Sequence, residues 1–299
     1  MYDVIVYGPL FCDLIFTDLP EMPTLGTEIF AGDFTLTIGG SAIVAAGLQK
    51  LGAKVGLAAD LGNDMLSRLM EGVLDDLNID QTLIRKHPYP LTQLTVALSF
   101  PEDRSFITRF QRPENPAQLS DILRSYPARH VHLGSFLALF DAPDACQVAH
   151  QMGTTVSLDP GWDESALHDP RLLSVLPELD YFLPSQSELS YMMNTTDTVQ
   201  ALEKASKHVT RGTIVMKDGA NGAWARSLTL NEHVPSIDVH PIDTTGAGDA
   251  FDAGFLYAIT QGYTISESMR YGAICGALTI TNIGGATGTP TLDEVKKWL

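Results

Sequence analysis

Positive charge is scarce in this chain. Lys and Arg number 19 against 36 Asp and Glu in 299 residues, a formal net charge of −17. Such a surface repels nucleic-acid backbones and anionic lipids, which argues against a general nucleic-acid or membrane-surface role. It also means that any phosphate site must draw on backbone amides, a metal and a few chosen cations. Cysteine is scarcer still. Cys12, Cys146 and Cys275 are widely spaced with no Cys-x-x-Cys, which fits free thiols in a reducing cytosol. Long apolar runs are missing too: the stretch from Ala42 to Ala59 is broken by Lys50 and Lys54, so no bilayer span is expected. No basic segment precedes the strand-like Val4–Ile5–Val6–Tyr7, so no signal peptide is expected, and the protein reads as cytoplasmic. Neither a Gly-x-x-x-x-Gly-Lys-Ser/Thr loop nor a Gly-x-Gly-x-x-Gly after the first strand is present, so a P-loop ATPase and a dinucleotide dehydrogenase are both unsupported. Ser135 follows Gly134 but lacks the nucleophile-elbow pattern. His130 and His132 share one strand face without a third ligand, so they read as satisfied strand histidines and not as a metal site.

The chain does have enough apolar residues, 44%, with 18% charged, to bury a full core. Short apolar runs end in turn residues: Val4–Tyr7, Val55–Ala59, Val131–Leu133, Thr155–Leu158, Tyr181–Leu183 and Ile214–Met216. Helix-like stretches lie between them, near 41–52, 63–78, 141–152, 197–211, 247–261 and 265–282. Buried strands alternating with helices predict an α/β fold with a central, mostly parallel sheet flanked by helices, as a single domain over 1–299. Ligands of such sheets gather at the carboxyl ends of the strands. Two segments break the rhythm with period-two alternation: Phe34, Leu36, Ile38, and then Leu94, Val96, Leu98, Phe100 followed by a turn at 101–104. They predict a small β-strand lid inserted from about 14–38 and 91–110, with an ordinary edge hairpin as the plainer alternative. No repeat, low-complexity segment or linker is evident.

The most informative stretch is Asp243-Thr244-Thr245-Gly246-Ala247-Gly248-Asp249-Ala250-Phe251. Gly246 and Gly248 make a small turn, and the apolar run after Asp249 reads as a buried helix. The first amides of a helix lack backbone partners, and the helix dipole favours negative charge there. Small residues let an anion approach those amides, so the turn is a candidate phosphate cradle. Asp249 sits just inside it, placed to take a proton from a hydroxyl attacking a phosphoryl group. An Asp favoured by the dipole alone would read the same way.

Four further places carry polar groups at strand ends. Asp13 follows the first strand, where a carboxylate can accept from two neighbouring hydroxyls of a polyol; a solvated loop Asp is the alternative. Gly39-Gly40-Ser41 opens a helix ending at Leu51-Gly52, allowing close backbone approach. Ser185 and Glu188 have the spacing of a capping box. Lys217-Asp218-Gly219-Ala220-Asn221-Gly222 either passes over phosphates or forms a tight hairpin turn on Asn221-Gly222. A glycine-rich loop from Asn282 to Gly288 follows the last long helix.

The nine-residue string around Asp249 closely resembles the C-terminal signature of the ribokinase-like (PfkB) carbohydrate kinases. The other segments resemble that family's remaining motifs, so the likeness spans nearly the whole chain. It implies a ribokinase-like fold and an ATP-dependent kinase acting on a primary hydroxyl of a sugar. Asp249 would be the base, and the Gly246, Ala247 and Gly248 amides the anion hole. Asp13, Gly39, Gly40 and Ser41 would contact the substrate. Ser185, Glu188, Lys217, Gly219, Gly222 and Asn282 would lie on the ATP side. Glu188 would help hold Mg²⁺ through water, and Asp243 and Thr245 a monovalent cation such as K⁺. Relatives suggest a homodimer through the lid. The chain departs from the family where an Asn usually follows the Gly-Gly pair, and where Ser185 replaces the Asn of Asn-x-x-Glu. A nucleoside kinase of the same fold, or a non-catalytic sugar- or nucleotide-binding sensor, are the alternatives. A sugar phosphate is disfavoured, since Arg85, Lys86, Arg104 and Arg109 are the only nearby cations in that half.

Overall fold

A computed structural model of the chain describes residues 1–100 and 104–299. The turn expected at 101–104 therefore lies, but for Arg104, outside the described residues. Twelve strands carry the argument. They are β1 (Tyr2–Tyr7), β2 (Leu10–Thr17), β3 (Asp33–Gly40), β4 (Val55–Ala58), β5 (Gln93–Ser99), β6 (Arg104–Phe110), β7 (Ala128–Leu133), β8 (Thr155–Leu158), β9 (Tyr181–Phe182), β10 (Thr213–Lys217), β11 (Ala223–Arg226) and β12 (Asn231–Val234). The main helices are α1 (Ser41–Lys50), α2 (Met65–Asp76), α3 (Gln186–Met192), α4 (Thr198–Ser206), α5 (Ala247–Thr260) and α6 (Ile265–Thr279).

Among the described residues, eight strands form the larger sheet in the order β12-β11-β10-β9-β8-β7-β1-β4. From β4 to β10 every neighbouring pair is parallel; β11 and β12 add on antiparallel. Successive side chains of a strand point to opposite faces, and both faces here are apolar. Ile5 and Tyr7 join one core cluster with Val131, Leu158 and Phe182, while Val4 and Val6 join a second with Leu57, Phe251 and Phe255. That is why β1 reads as a continuous apolar run. α5 is buried along most of its length, and its Phe255 ring meets Tyr181 edge-on at 5.3 Å. Burying one such ring stabilises the fold by roughly 1.5–3 kcal/mol.

A second sheet has the order β3-β2-β5-β6. β3 and β6 pair antiparallel with their neighbours, but β2 and β5 run parallel, which corrects the expectation of an antiparallel lid. Its middle strand β2 was not expected at all. Residues 8–13 read as the loop after the first strand, yet Leu10–Thr17 pairs on both sides. The period-two signal is weak there because Leu10, Cys12, Asp13 and Ile15 are all buried.

The hairpin expected on Asn221-Gly222 is also different. β10 and β11 do pair antiparallel, but the connection is a one-turn 3₁₀ segment, Gly219–Asn221, with φ of 53° at Gly219 and 94° at Gly222. A β-carbon on Gly222 would collide with the Val234 carbonyl oxygen, so the close approach of β12 decides this turn. No helix among the described residues is long and apolar enough to cross a membrane.

Candidate active site

The carboxyl ends of the parallel strands, the loop before α5 and the lid sheet meet in one region. The loop is fixed from below. Asp243 is buried; its Oδ1 accepts from the Thr245 amide at 3.0 Å and its Oδ2 from the Gly284 amide at 2.9 Å. Gly246 then turns with φ of 75°, and a β-carbon there would lie 2.7 Å from Gly285 Cα, so two backbones touch where a side chain would separate them. α5 starts at Ala247 with no side-chain cap on its first amides. Those amides remain available to an anion.

Two carboxyl groups face each other across this point. Asp249 lies in the first turn of α5. Burial pushes its carboxyl up to about 7, with Asp159 and Glu188 adding to the rise and Lys217 opposing it. Asp13 comes from β2, in a strand and not in a loop. Its carboxyl is likewise pushed to about 7, by burial first and then by the charge of Asp249. Gly39 explains how Asp13 fits: a β-carbon on Gly39 would collide with the Asp13 carboxylate. Asp13 pairs in register with Thr37 on one side and Thr95 on the other. Asp13 Oδ1 and the hydroxyls of Thr37, Ser41 and Thr245 are buried without hydrogen-bond partners. Such groups are rare in folded proteins and mark places where a ligand or water completes the bonding. Ser41 is wedged against bare backbone, since a β-carbon on either Gly8 or Gly134 would collide with its hydroxyl.

A cavity of about 660 Å³ opens beside the loop, within the range of small-ligand sites. Ser185, Lys217, Gly219 and Gly222, expected on the ATP side, line it together with Ala247 and Gly248. The opposite wall is apolar, from Ile237, Val239 and Pro241 with Ala273, Gly276 and Ala277 of α6. Sequence reasoning missed this wall. The small-residue face of α6 was its one signal. Arg104 of the lid also lines the cavity and hydrogen-bonds the Thr244 hydroxyl, tying lid to loop.

Asn282 is not part of this cavity. Its amide turns back to Leu278 and Thr281, and it lines a separate cavity with Lys50 and Trp298. Asn282 thus lies past the end of α6 at Thr279, apart from the other residues expected on the ATP side.

Lys217 lines the cavity, and its ammonium is held by carboxylates within the protein. It lies 2.7 Å from Asp159 Oδ2 and 3.2 Å from each oxygen of Asp252. Burial would lower its proton affinity, but Asp159, Asp252 and Glu188 overcome that and hold it charged. Burial also acts against the Asp159 carboxylate, yet Lys217 keeps it ionised. Asp252 is pushed well above the ordinary range, by burial first. Neither aspartate was singled out from the sequence. Asp159 ends a buried strand and Asp252 interrupts an apolar helix face three residues after Asp249, and both are visible signals.

Ser185 and Glu188 form a complete capping box: the Ser185 amide donates to Glu188 Oε2 at 2.7 Å and the Glu188 amide to Ser185 Oγ at 3.2 Å. Glu188 is nonetheless buried beside Asp159 and Lys217, and burial raises its carboxyl. His130 bonds Thr155 and Ser157, and His132 bonds Ser157; burial lowers them to about 3 and about 4. Both are neutral strand histidines. Among the described residues, no group of three or more His, Cys, Asp or Glu could hold a metal ion by itself.

Residues 1–292 match the pfkB family carbohydrate kinases. The chain belongs to this family. A fructokinase of Vibrio alginolyticus is 26% identical over 281 residues, 87% of this chain and 91% of that protein. A ribokinase of Haemophilus influenzae is 23% identical across 98% of this chain and 97% of its own. The solved structure of Arabidopsis thaliana ribokinase complexed with ribose and ATP matches with a TM-score of 0.80 at 24% identity, over 99% and 98% of the two chains. The ribokinase-like fold expected from the sequence is therefore the fold of this carbohydrate kinase.

Breaking the buried Lys217 pairing should be costly. Lys217→Ala leaves Asp159 ionised without its partner, so unfolding free energy measured in urea should drop by about 3–5 kcal/mol. A loss under about 1 kcal/mol would show that the pairing is not a buried one.

Proposed function

We propose that this kinase transfers the γ-phosphate of ATP to a primary hydroxyl of a sugar, with Asp249 as general base. The observation that carries this is the pair Asp249 and Asp13 at the uncapped start of α5, beside a cavity of nucleotide size. Asp13, Gly39, Gly40 and Ser41 would hold the acceptor. Its hydroxyls would satisfy Asp13 Oδ1, Thr37 and Ser41, which have no partner in the protein. The nucleotide would run along Ser185, Gly219 and Gly222, against the apolar wall.

Asp249 then accepts the proton of the hydroxyl as that oxygen attacks phosphorus in line. The amides of Gly246, Ala247 and Gly248 stabilise charge on the phosphoryl oxygens, in fixed positions that need no reorganisation. Mg²⁺ takes hard oxygen ligands and keeps several waters, so the buried carboxylate of Glu188, with Asp159 beside it, is a fitting donor set for holding it through water. Bound there, it would neutralise phosphate charge. Asp243 and the unpartnered Thr245 hydroxyl would hold a monovalent cation such as K⁺. One observation favours a nucleoside as the alternative acceptor: the Phe11 ring packs against Gly40, with the Phe110 ring 5.9 Å from it, so an aromatic face is at hand for a base.

The lid supports a homodimer. Phe34, Phe106 and Ile107 expose apolar surface on its edge strands, together with Leu25 and Phe30 in the β2–β3 connection. Such surface marks an interaction site. Light scattering should give a dimer for the wild type and a monomer for Ile107→Glu; a wild-type monomer at micromolar concentration would remove this part of the reading.

Asp249→Asn should lower kcat by about 10²–10⁴ in an ADP-release assay over a sugar and nucleoside panel, with ATP affinity unchanged. A variant keeping most of wild-type kcat would refute the base. The base works as a carboxylate, and its carboxyl sits near 7, so kcat/KM for the acceptor should be full above that pH and fall as pH drops through about 7. A profile flat from about pH 8 to about pH 5 would contradict it.

A further inference from the structure

The mechanism above leaves Lys217 without a task. An ammonium has three N–H donors, and here they face three carboxylate oxygens: Asp159 Oδ2 at 2.7 Å and the two of Asp252 at 3.2 Å. No donor is left over for a phosphate. The three residues converge under the start of α5: Asp159 follows β8, Lys217 ends β10, and Asp252 is one helical turn beyond Asp249. Only a glycine separates the ammonium from the anion-hole loop, since a β-carbon on Gly248 would lie 3.5 Å from Nζ.

The titratable groups that act on Asp249 are Asp159, Glu188 on α3, Asp252 on its own helix and, across the site, Asp13 on β2. All are carboxyls. Behind them His132 Nε2 stands 3.9 Å from Asp252 and is neutral. Lys217 is the cation among these groups. Asp252 and Asp159 together fix the position of the ammonium. A fixed charge next to the reacting groups costs no reorganisation during the reaction.

We propose that Lys217 is a positioning residue for the phosphoryl transfer: clamped by Asp159 and Asp252 behind Gly248, it sets a fixed positive charge beside Asp249 and the anion hole, and it is not a ligand of the nucleotide phosphates. This rests on Asp249 being the base.

The test is Lys217→Gln, whose neutral amide can still donate to Asp159. The acidic limb of its kcat/KM profile should move up by about one pH unit or more, so that kcat/KM at pH ~7 falls about tenfold and recovers by pH ~9. The dissociation constant for Mg-ATP, by calorimetry, should stay within about threefold of wild type, a factor too small for a lost phosphate contact. Lys217→Arg should restore the wild-type limb. An unmoved limb in the Gln variant overturns the inference, as does an ATP affinity weakened about tenfold or more. If the Gln variant does not fold, Lys217→Met with Asp159→Asn removes the ion pair together. ATP affinity in that double variant should again match wild type, and a tenfold loss again overturns the inference. Asp249→Asn separates the two readings. If it keeps turnover, the base assignment fails. If it is inactive while the Lys217→Gln limb stays put, only the role given to Lys217 fails.

Discussion

Five carboxyl groups, from four elements, crowd one buried ammonium at the end of the parallel sheet. Asp159, Glu188, Asp249 and Asp252 surround Lys217, and Asp13 approaches from the lid. Like charges in a region that excludes water cannot all stay ionised. Their proton affinities are therefore driven apart: Asp159 is held low by Lys217, whereas Asp249, Asp13, Glu188 and Asp252 are driven up. A carboxyl near 7 suits proton transfer close to neutral pH, and one locked to an ammonium suits scaffolding.

The same charge shortage shapes how a phosphate site is built. With a net charge of −17 and Lys217 fully engaged, the chain relies on bare backbone. Gly246 lets the loop touch Gly285, and Asp243 uses both of its oxygens to hold that loop from beneath. An uncapped helix start presents amides without the desolvation cost of another buried cation. The lid adds its own constraint, because Arg104 connects it to Thr244 just ahead of those amides.

The legible parts of the fold were those written in local pattern. β1, β4 and β8 read as continuous apolar runs because both faces are covered, and α1, α5 and α6 kept their bounds within a few residues. The glycines and acids of 243–249 were legible because their spacing has few other uses. β2 was not, since burial on both faces erased its alternation and Asp13 looked like a loop residue. The ion pairing of Lys217 was not legible because its partners, Asp159 and Asp252, lie 58 and 35 residues away in sequence. The place of Asn282 was hidden for a related reason: where a loop goes after a helix end is decided by packing, which no local signal records.

The unpaired polar atoms suggest what the site is built to receive. An unsatisfied buried polar group costs about 1–3 kcal/mol. Asp13 Oδ1, Thr37 Oγ1, Ser41 Oγ and Thr245 Oγ1 all carry that cost in the protein alone, and three of them come from β2, β3 and the start of α1. Other such atoms lie on Gln93, His132 and Glu232, while Asp13, Thr37 and Ser41 gather where the lid meets the sheet. A carboxylate oxygen accepts only, while a hydroxyl both donates and accepts. An acceptor carrying neighbouring hydroxyls can satisfy that mixed set, and a flat apolar ligand cannot. Asp13 also sits over Gly39, a pairing that no side chain other than hydrogen at position 39 would allow.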